Sequence, residues 1–278
     1  MDQVMRASTE LDAIVPELWS AKFYPTLLER LPFIASVSHD YEGEISSLGD
    51  TVRIPNIPQF DIAQDIAEDE AVDADAVTVG TTSLVVNKQV AKDFIITKKG
   101  MIQSIDASNG LRDMALHAIL KRMQAIIIAD IVPSTSPDHT IAFDSGTTLA
   151  LADILEAKEL LDNSDVEEMN RQMIVGSAQL NDLFNITGFI SRDFIPSGSP
   201  LTSGQIQTPV LGFQVGWTSL LVNQAYLFHP IFQQIAVQQS PEVEVMSLGA
   251  TGKRATRVNM DVLFGVKQVS DLRVVQIA

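Results

Sequence analysis

Residues 60–78, FDIAQDIAEDEAVDADAVT, carry seven carboxylates and no lysine or arginine. They are Asp61, Asp65, Glu68, Asp69, Glu70, Asp73 and Asp75. Clustered carboxylates are the natural ligands of hard divalent cations such as calcium. A calcium loop of the helix–loop–helix kind needs oxygens at alternate positions, a glycine at its sharp turn and a closing glutamate. No window of this stretch supplies that set, and Asp73 with Asp75 is only a fragment of it. The favoured reading is a solvated, extended loop. Three roles are open at this point: a metal site, a disordered tail, or an arm that leaves the body of the protein.

Other chemistry is sparse. The four histidines, His39, His117, His139 and His229, form no HxH or HxxxH pair, so they read as scattered structural or surface residues rather than a general base. No GxxxxGK[ST] phosphate loop, no GxGxxG after a strand and no GxSxG elbow occurs. Lys253, Arg254 and Arg257 make a small basic cluster in GATGKRATR. It reads either as a solvated turn before a strand or as a face for nucleic acid or for the acidic stretch of a second copy. Opposite charges on two parts of one chain suit self-association, because they steer encounter and fix register.

The chain has 278 residues, enough for one large domain or two smaller ones. A net charge of -16 disfavours direct nucleic-acid binding, which needs a basic face, though it leaves open a surface that merely encloses nucleic acid. With no cysteine, disulfides and thiolate chemistry are excluded. The N-terminus lacks the pattern of a signal peptide. The longest strongly apolar run, AIIIADIV at 125–132, falls far short of the ~20 residues of a membrane helix. A soluble intracellular product without cofactor or metal is expected.

The elements that would position these residues can be read in order. Residues 8–31 read as two short helical pieces, broken at Pro25 and Pro32, with an apolar stripe of Trp19, Phe23, Leu27, Leu28 and Leu31. GDTVRIPNIP (49–58) reads as a turn and a short strand whose prolines keep it out of a sheet centre. TSLVVNKQVAKDFIITKKG (82–100) reads as two strands joined at NKQ, with period-two spacing. The acidic stretch then becomes the outer part of a two-stranded excursion over 45–97. Residues 108–132 form the strongest helix, with Leu111, Met114, Ala115, Ala118, Ile119, Met123, Ile126 and Ile127 at helical spacing. Next come a helix at 147–166 capped by Thr147 or Thr148, a buried strand at 171–176, and a helix at 177–185 capped by Ser177. A Gly/Ser/Pro-rich loop spans 191–209. Strands follow at 210–221 and 224–229, a helical piece at 230–239, and two tail strands around Ser270–Asp271.

This ordered set resembles the major capsid proteins of tailed phages, the Hong Kong 97 fold. VPELWSAKFYPTLLERLPF (15–33) is similar to that family's N-terminal arm, and DYEGEISSLGDTVRIPNIP (40–58) to the lead-in of its extended loop. SLVVNKQVAKDFIIT (83–97) resembles the returning strand. LADILEAKELLDNSDVEEMNRQMIVGSAQLNDLFN (151–185) resembles the axial subdomain, with its R-x-x-x-V strand. AYLFHPIFQQIAVQQ (225–239) and FGVKQVSDLRVVQI (264–277) resemble the C-terminal part.

The resemblance implies an α+β fold in five parts. These are an N-terminal arm (1–39), an extended β-hairpin loop with its base strands (40–98), a peripheral domain with a spine helix (99–144), a mixed α/β axial domain (145–240) and a C-terminal β segment (241–278). It implies a non-enzymatic shell subunit that associates with itself as pentamers and hexamers, works with scaffold and portal proteins, encloses DNA without reading its sequence, and has no membrane role. Assembly in the host cytoplasm is expected. The absence of a long helical pre-segment departs from members with a fused scaffold and implies a separate scaffold or a processed chain. Trp19, Phe23, Asp65, Glu68, Asp69, Glu70, Lys253, Arg254 and Arg257 become the candidate contacts between subunits. Some members cross-link through a lysine on the extended loop. Lys88 and Lys92 lie on the returning strand, but no partner asparagine or catalytic carboxylate stands out, and that chemistry is not carried over. Three rivals remain: an encapsulin-type compartment with the same fold, a soluble α/β enzyme, and a calcium-dependent binding module.

Overall fold

The computed structural model describes residues 31–42, 50–56, 77–98, 107–144, 146–186, 206, 209, 211–248 and 254–278. The apolar stripe at 8–30, the acidic stretch up to Ala76 and most of the loop at 191–209 lie outside these residues.

Three sheets and four helices build the described part. Strands β1 (Thr51–Asn56) and β2 (Gly80–Val85) form an antiparallel ladder, from Thr51 opposite Val85 to Asn56 opposite Gly80. A three-stranded sheet has the order β3-β9-β8, made of β3 (Lys88–Thr97), β8 (Gln233–Ser247) and β9 (Ala255–Gln268). A five-stranded sheet has the order β4-β10-β7-β5-β6. Its strands are β4 (Thr140–Ile141), β5 (Gln172–Gly176), β6 (Gln214–Thr218), β7 (Ala225–Phe228) and β10 (Val274–Ile277). The helices are α1 (Pro32–Ser36), α2 (Ala107–Ala129), α3 (Leu151–Asn163) and α4 (Ser177–Leu183).

The five-stranded sheet separates two cores, and the alternation of its strands assigns each side chain to one of them. Met173 and Val175 of β5, Leu227 of β7 and Val275 of β10 face Ile154, Ala157 and Leu161 of α3. Their neighbours Ile174, Tyr226, Phe228 and Val274 point the other way, into a core shared with α2, β8 and β9. Strands covered on both faces read as continuous apolar runs, which is why RQMIVG is legible as a buried strand. Phe33 of α1 is sealed in the second core, stacked on Phe228 at 5.6 Å and edge-on to Tyr226 at 6.0 Å. Pro32 occupies the first turn of α1, where its missing N–H costs nothing.

Helix α2 spans about 34 Å at the usual rise. Its buried line is Ala115, Ile119, Met123 and Ile127, one residue every four. The predicted stripe was wider: Leu111, Met114 and Ala118 are exposed on this subunit. Polar side chains tie the helix down. Gln124 donates to the Thr218 hydroxyl at 2.9 Å, and Gln233 donates to the Ile127 carbonyl at 3.1 Å. Beyond the helix end, the Asp130 carboxylate accepts the Gln268 backbone N–H at 2.8 Å.

Four local expectations need correction. Residues 233–239 are strand, and only Pro230–Phe232 forms a 3-10 turn, because β9 offers β8 a ladder from Gln233 to Ser247. Helix α3 starts at Leu151 rather than Thr147. The Asp153 carboxylate reaches back to the Ala150 N–H at 2.9 Å and caps it, a role neither Thr147 nor Thr148 takes. Ser177 is the first residue of α4 and makes no capping bond; Gly176 holds the cap position. Strands β2 and β3 are both present but do not pair with each other. The paired base of the excursion is β1–β2, while β3 joins β9.

Candidate assembly surface

The root of the excursion is built on the back of the three-stranded sheet. Ile54 of β1 and Leu84 of β2, together with Val86, bury against Ala236, with Val52, Tyr41 and Leu263 packed around them. Gly265 makes this crossing possible: a Cβ there would lie 2.5 Å from the Val85 carbonyl oxygen. Helix α2 covers the opposite face through Met260, Val262 and Phe264 of β9. The sheet is thus clamped between α2 and the β1–β2 ladder.

Toward the β8–β9 tip the cover ends. Register places Val243 and Val245 of β8 beside Met260 and Val258, yet these two valines are 41% and 52% exposed. Ile95 of β3 and Met246 of β8, both opposite Arg257, are exposed on the other face. An apolar strand end of this kind, uncovered on both faces by the described residues, is a candidate contact surface.

Of the predicted contact residues, Arg254 and Arg257 are among the described ones, while Trp19, Phe23, Asp65, Glu68, Asp69, Glu70 and Lys253 are not. Arg254 sits exposed just before β9, where its carbonyl accepts the Lys98 N–H at 2.9 Å. Arg257 is on β9 and pairs with the Asp93 carboxylate of β3. One of the three basic residues is therefore engaged inside the subunit. Sequence reading missed Asp93, whose partner lies far along the chain. Lys88 and Lys92 are exposed on β3, in the three-stranded sheet rather than the β1–β2 ladder.

The titratable groups serve the fold. His139 is fully buried between the Val274 carbonyl (3.0 Å) and the Ser164 hydroxyl (3.1 Å). Burial and the nearby Arg273 charge push the His229 imidazole below its ordinary pKa. Arg171, the arginine of the R-x-x-x-V strand, is 1% exposed. It donates to the Asp162 carboxylate at 2.6 Å and to the carbonyls of Glu167 and Val166 at 2.9 and 2.5 Å. The Asp162 carboxyl is held below its ordinary pKa: burial pushes it up, but hydrogen bonds from Lys158 and Arg171 outweigh that. Among the described residues no group of three or more His, Asp or Glu is placed to hold a metal ion, and no helix is long and apolar enough to cross a membrane. A 320 Å³ groove beside Asp130, Lys267, Gln268 and Asp271 is open and holds no nucleophile–base pair.

A family model described as phage capsid protein matches residues 43–278. The chain belongs to the phage capsid protein family. Solved structures agree on the fold. A chain of Mycobacterium phage Che8 is 20% identical, with a TM-score of 0.74 over 95% of this chain and 96% of that one. The capsid of cyanophage P-SCSP1u gives 11% identity and 0.72 over 96% and 93%. The cyanophage Pam1 capsid gives 15% identity and 0.72 over 95% and 96%. No curated protein matches the chain in sequence. This phage capsid protein thus has the Hong Kong 97-type α+β fold. It is a structural protein of the virion shell, a major capsid protein that self-associates, and not an enzyme.

Proposed function

We propose that this capsid protein closes its icosahedral shell, as pentamers and hexamers, through three surfaces. These are the arm carrying Trp19 and Phe23, the acidic excursion carrying Asp65, Glu68, Asp69 and Glu70, and the tip of the β8–β9 hairpin with Lys253 and Arg254. The excursion reaches over a neighbouring subunit, and its acidic part meets that subunit's hairpin tip. The five-part division of the chain follows the same logic, with residues 145–240 as the axial domain at the capsomer centre. The observation that carries this reading is the exposed apolar end of the three-stranded sheet, where Val243, Val245, Ile95 and Met246 lack cover from the described residues. Large interfaces with an apolar centre supply the energy of obligate assemblies, and the surrounding charges supply register. The net charge of -16 suits a shell that encloses DNA without gripping it, with scaffold and portal proteins guiding assembly in the host cytoplasm.

Particle size tests this. Light scattering and negative-stain microscopy of the purified protein, with its scaffold where one is needed, should give uniform hollow particles or capsomer rings. The double substitution Val243→Asp with Val245→Asp should keep the circular-dichroism spectrum and abolish particles. Undiminished particle formation by that variant would remove the hairpin end from the interface. A stable monomer from the unaltered chain with scaffold present would overturn the assembly scheme itself.

A further inference from the structure

The turn at residues 37–42 joins α1 to the segment that leads into β1, so it links the roots of the arm and the excursion. It is bolted to the body through Ser38. The Ser38 N–H donates to the carbonyls of Pro230 (3.1 Å) and Gln233 (3.3 Å), and the Ser38 carbonyl accepts the Ile235 N–H at 3.0 Å. His39 sits directly beyond this anchor. Its Nε2 lies 2.8 Å from the Ile34 carbonyl oxygen and its Nδ1 lies 2.7 Å from Glu42 Oε1.

Both partners are acceptors. A neutral imidazole has one N–H and one lone pair, so it can satisfy only one of them. Two bonds to a carbonyl and a carboxylate require the imidazolium, with both ring nitrogens donating. We propose that His39 is a proton-operated latch: as an imidazolium it ties α1 to Glu42 and holds the turn at residues 37–42 against the body. Its role in shell geometry rests on the assembly reading above; the latch itself does not.

The charges facing the ring are Glu42 and Asp40 of its own turn. Helix α1 contributes the Ile34 carbonyl, and β8 meets the turn through uncharged backbone groups at Ser38. Burial disfavours the cation, but the bonds to Glu42 and Ile34 and the two negative charges outweigh it, and the pKa lies above the ordinary value. A raised pKa means the latch's stabilisation is complete below about pH 6.5 and is lost as pH rises through the folded-state value. In that upper range one bond fails and the turn at residues 37–42 loosens.

Hydrogen exchange of the full-length protein, read by mass spectrometry on peptides within residues 34–42, tests this. Comparing variants at equal pH cancels the intrinsic pH dependence of exchange. At about pH 6 the unaltered chain should be several-fold more protected than His39→Gln, and the two should converge by about pH 9. Glu42→Gln, which removes the facing carboxylate, should move that convergence to lower pH. Equal protection at pH 6, a gap that persists unchanged to pH 9, or a Glu42→Gln curve that overlays the unaltered one would each overturn the latch. Light scattering of the same samples reads assembly separately: absence of particles at every pH would count against the shell scheme, while the exchange curves would still decide the latch.

Discussion

Arg171 shows how much one buried charge organises. Its guanidinium reaches a carboxylate and two carbonyls and lies 6.0 Å from the centre of the Phe213 ring. Burying a charge is costly unless its bonds are complete, and here three bonds make it the hub of the loop between α3 and β5. Replacing it by leucine would leave the carbonyls of Val166 and Glu167 without that donor. Arg171→Leu should cost about 3 kcal/mol, read as a drop in the urea midpoint of the unassembled protein. Arg171→Lys should recover little of this, because an ammonium cannot copy the planar fork that serves three acceptors at once. A lysine variant as stable as the unaltered chain would show that charge alone, not geometry, holds the loop.

At the scale of elements, the decisive contact is the crossing of the β2–β3 link over β9 at Gly265. The atoms that a Cβ would meet there are the backbone carbonyl of Val85 and the Cα of Val86, which cannot rotate away. Gly265→Ala should therefore force β2 off the sheet and cost about 2 kcal/mol. It should also make residues 80–86 the first site of limited proteolysis, while the α3 side of the protein is cut no faster than before. The elements differ in how far the sequence alone reveals them. Helix α2 is legible because its apolar residues repeat locally. The start of β8 is not: Ile231, Phe232 and Ile235 mimic helical spacing, and the strand is decided by a ladder to β9 further along the chain. For the assembly surface, the basic residues are visible as charges. The Asp93–Arg257 pair is invisible, because its partners stand 164 positions apart along the chain and meet only on folding. The exposed valines of β8 read as ordinary strand residues until the edge of α2's cover is known.

At the scale of the whole molecule, two electrostatic effects oppose each other. Every added subunit brings a net charge of -16, so a shell works against its own repulsion. The proposed pairing of the acidic stretch with the basic cluster near Arg254 would pull the other way. Magnitudes decide between them. Exposed ion pairs contribute at most about 1 kcal/mol each, and Arg257 is already committed to Asp93. The repulsion, by contrast, sums over all neighbours within a Debye length of roughly 10 Å or more in dilute salt. Apolar burial of the kind proposed at Val243 and Val245 is nearly indifferent to salt. Net association should therefore strengthen as sodium chloride rises from about 20 mM to about 300 mM, where the screening length shrinks below the spacing of surface charges. Sedimentation or light scattering at fixed protein concentration would show a growing particle fraction along that series. If particles dissolve instead as salt rises, complementary charges rather than apolar burial hold the subunits together. The acidic excursion would then be the main bond of the shell and not just its guide.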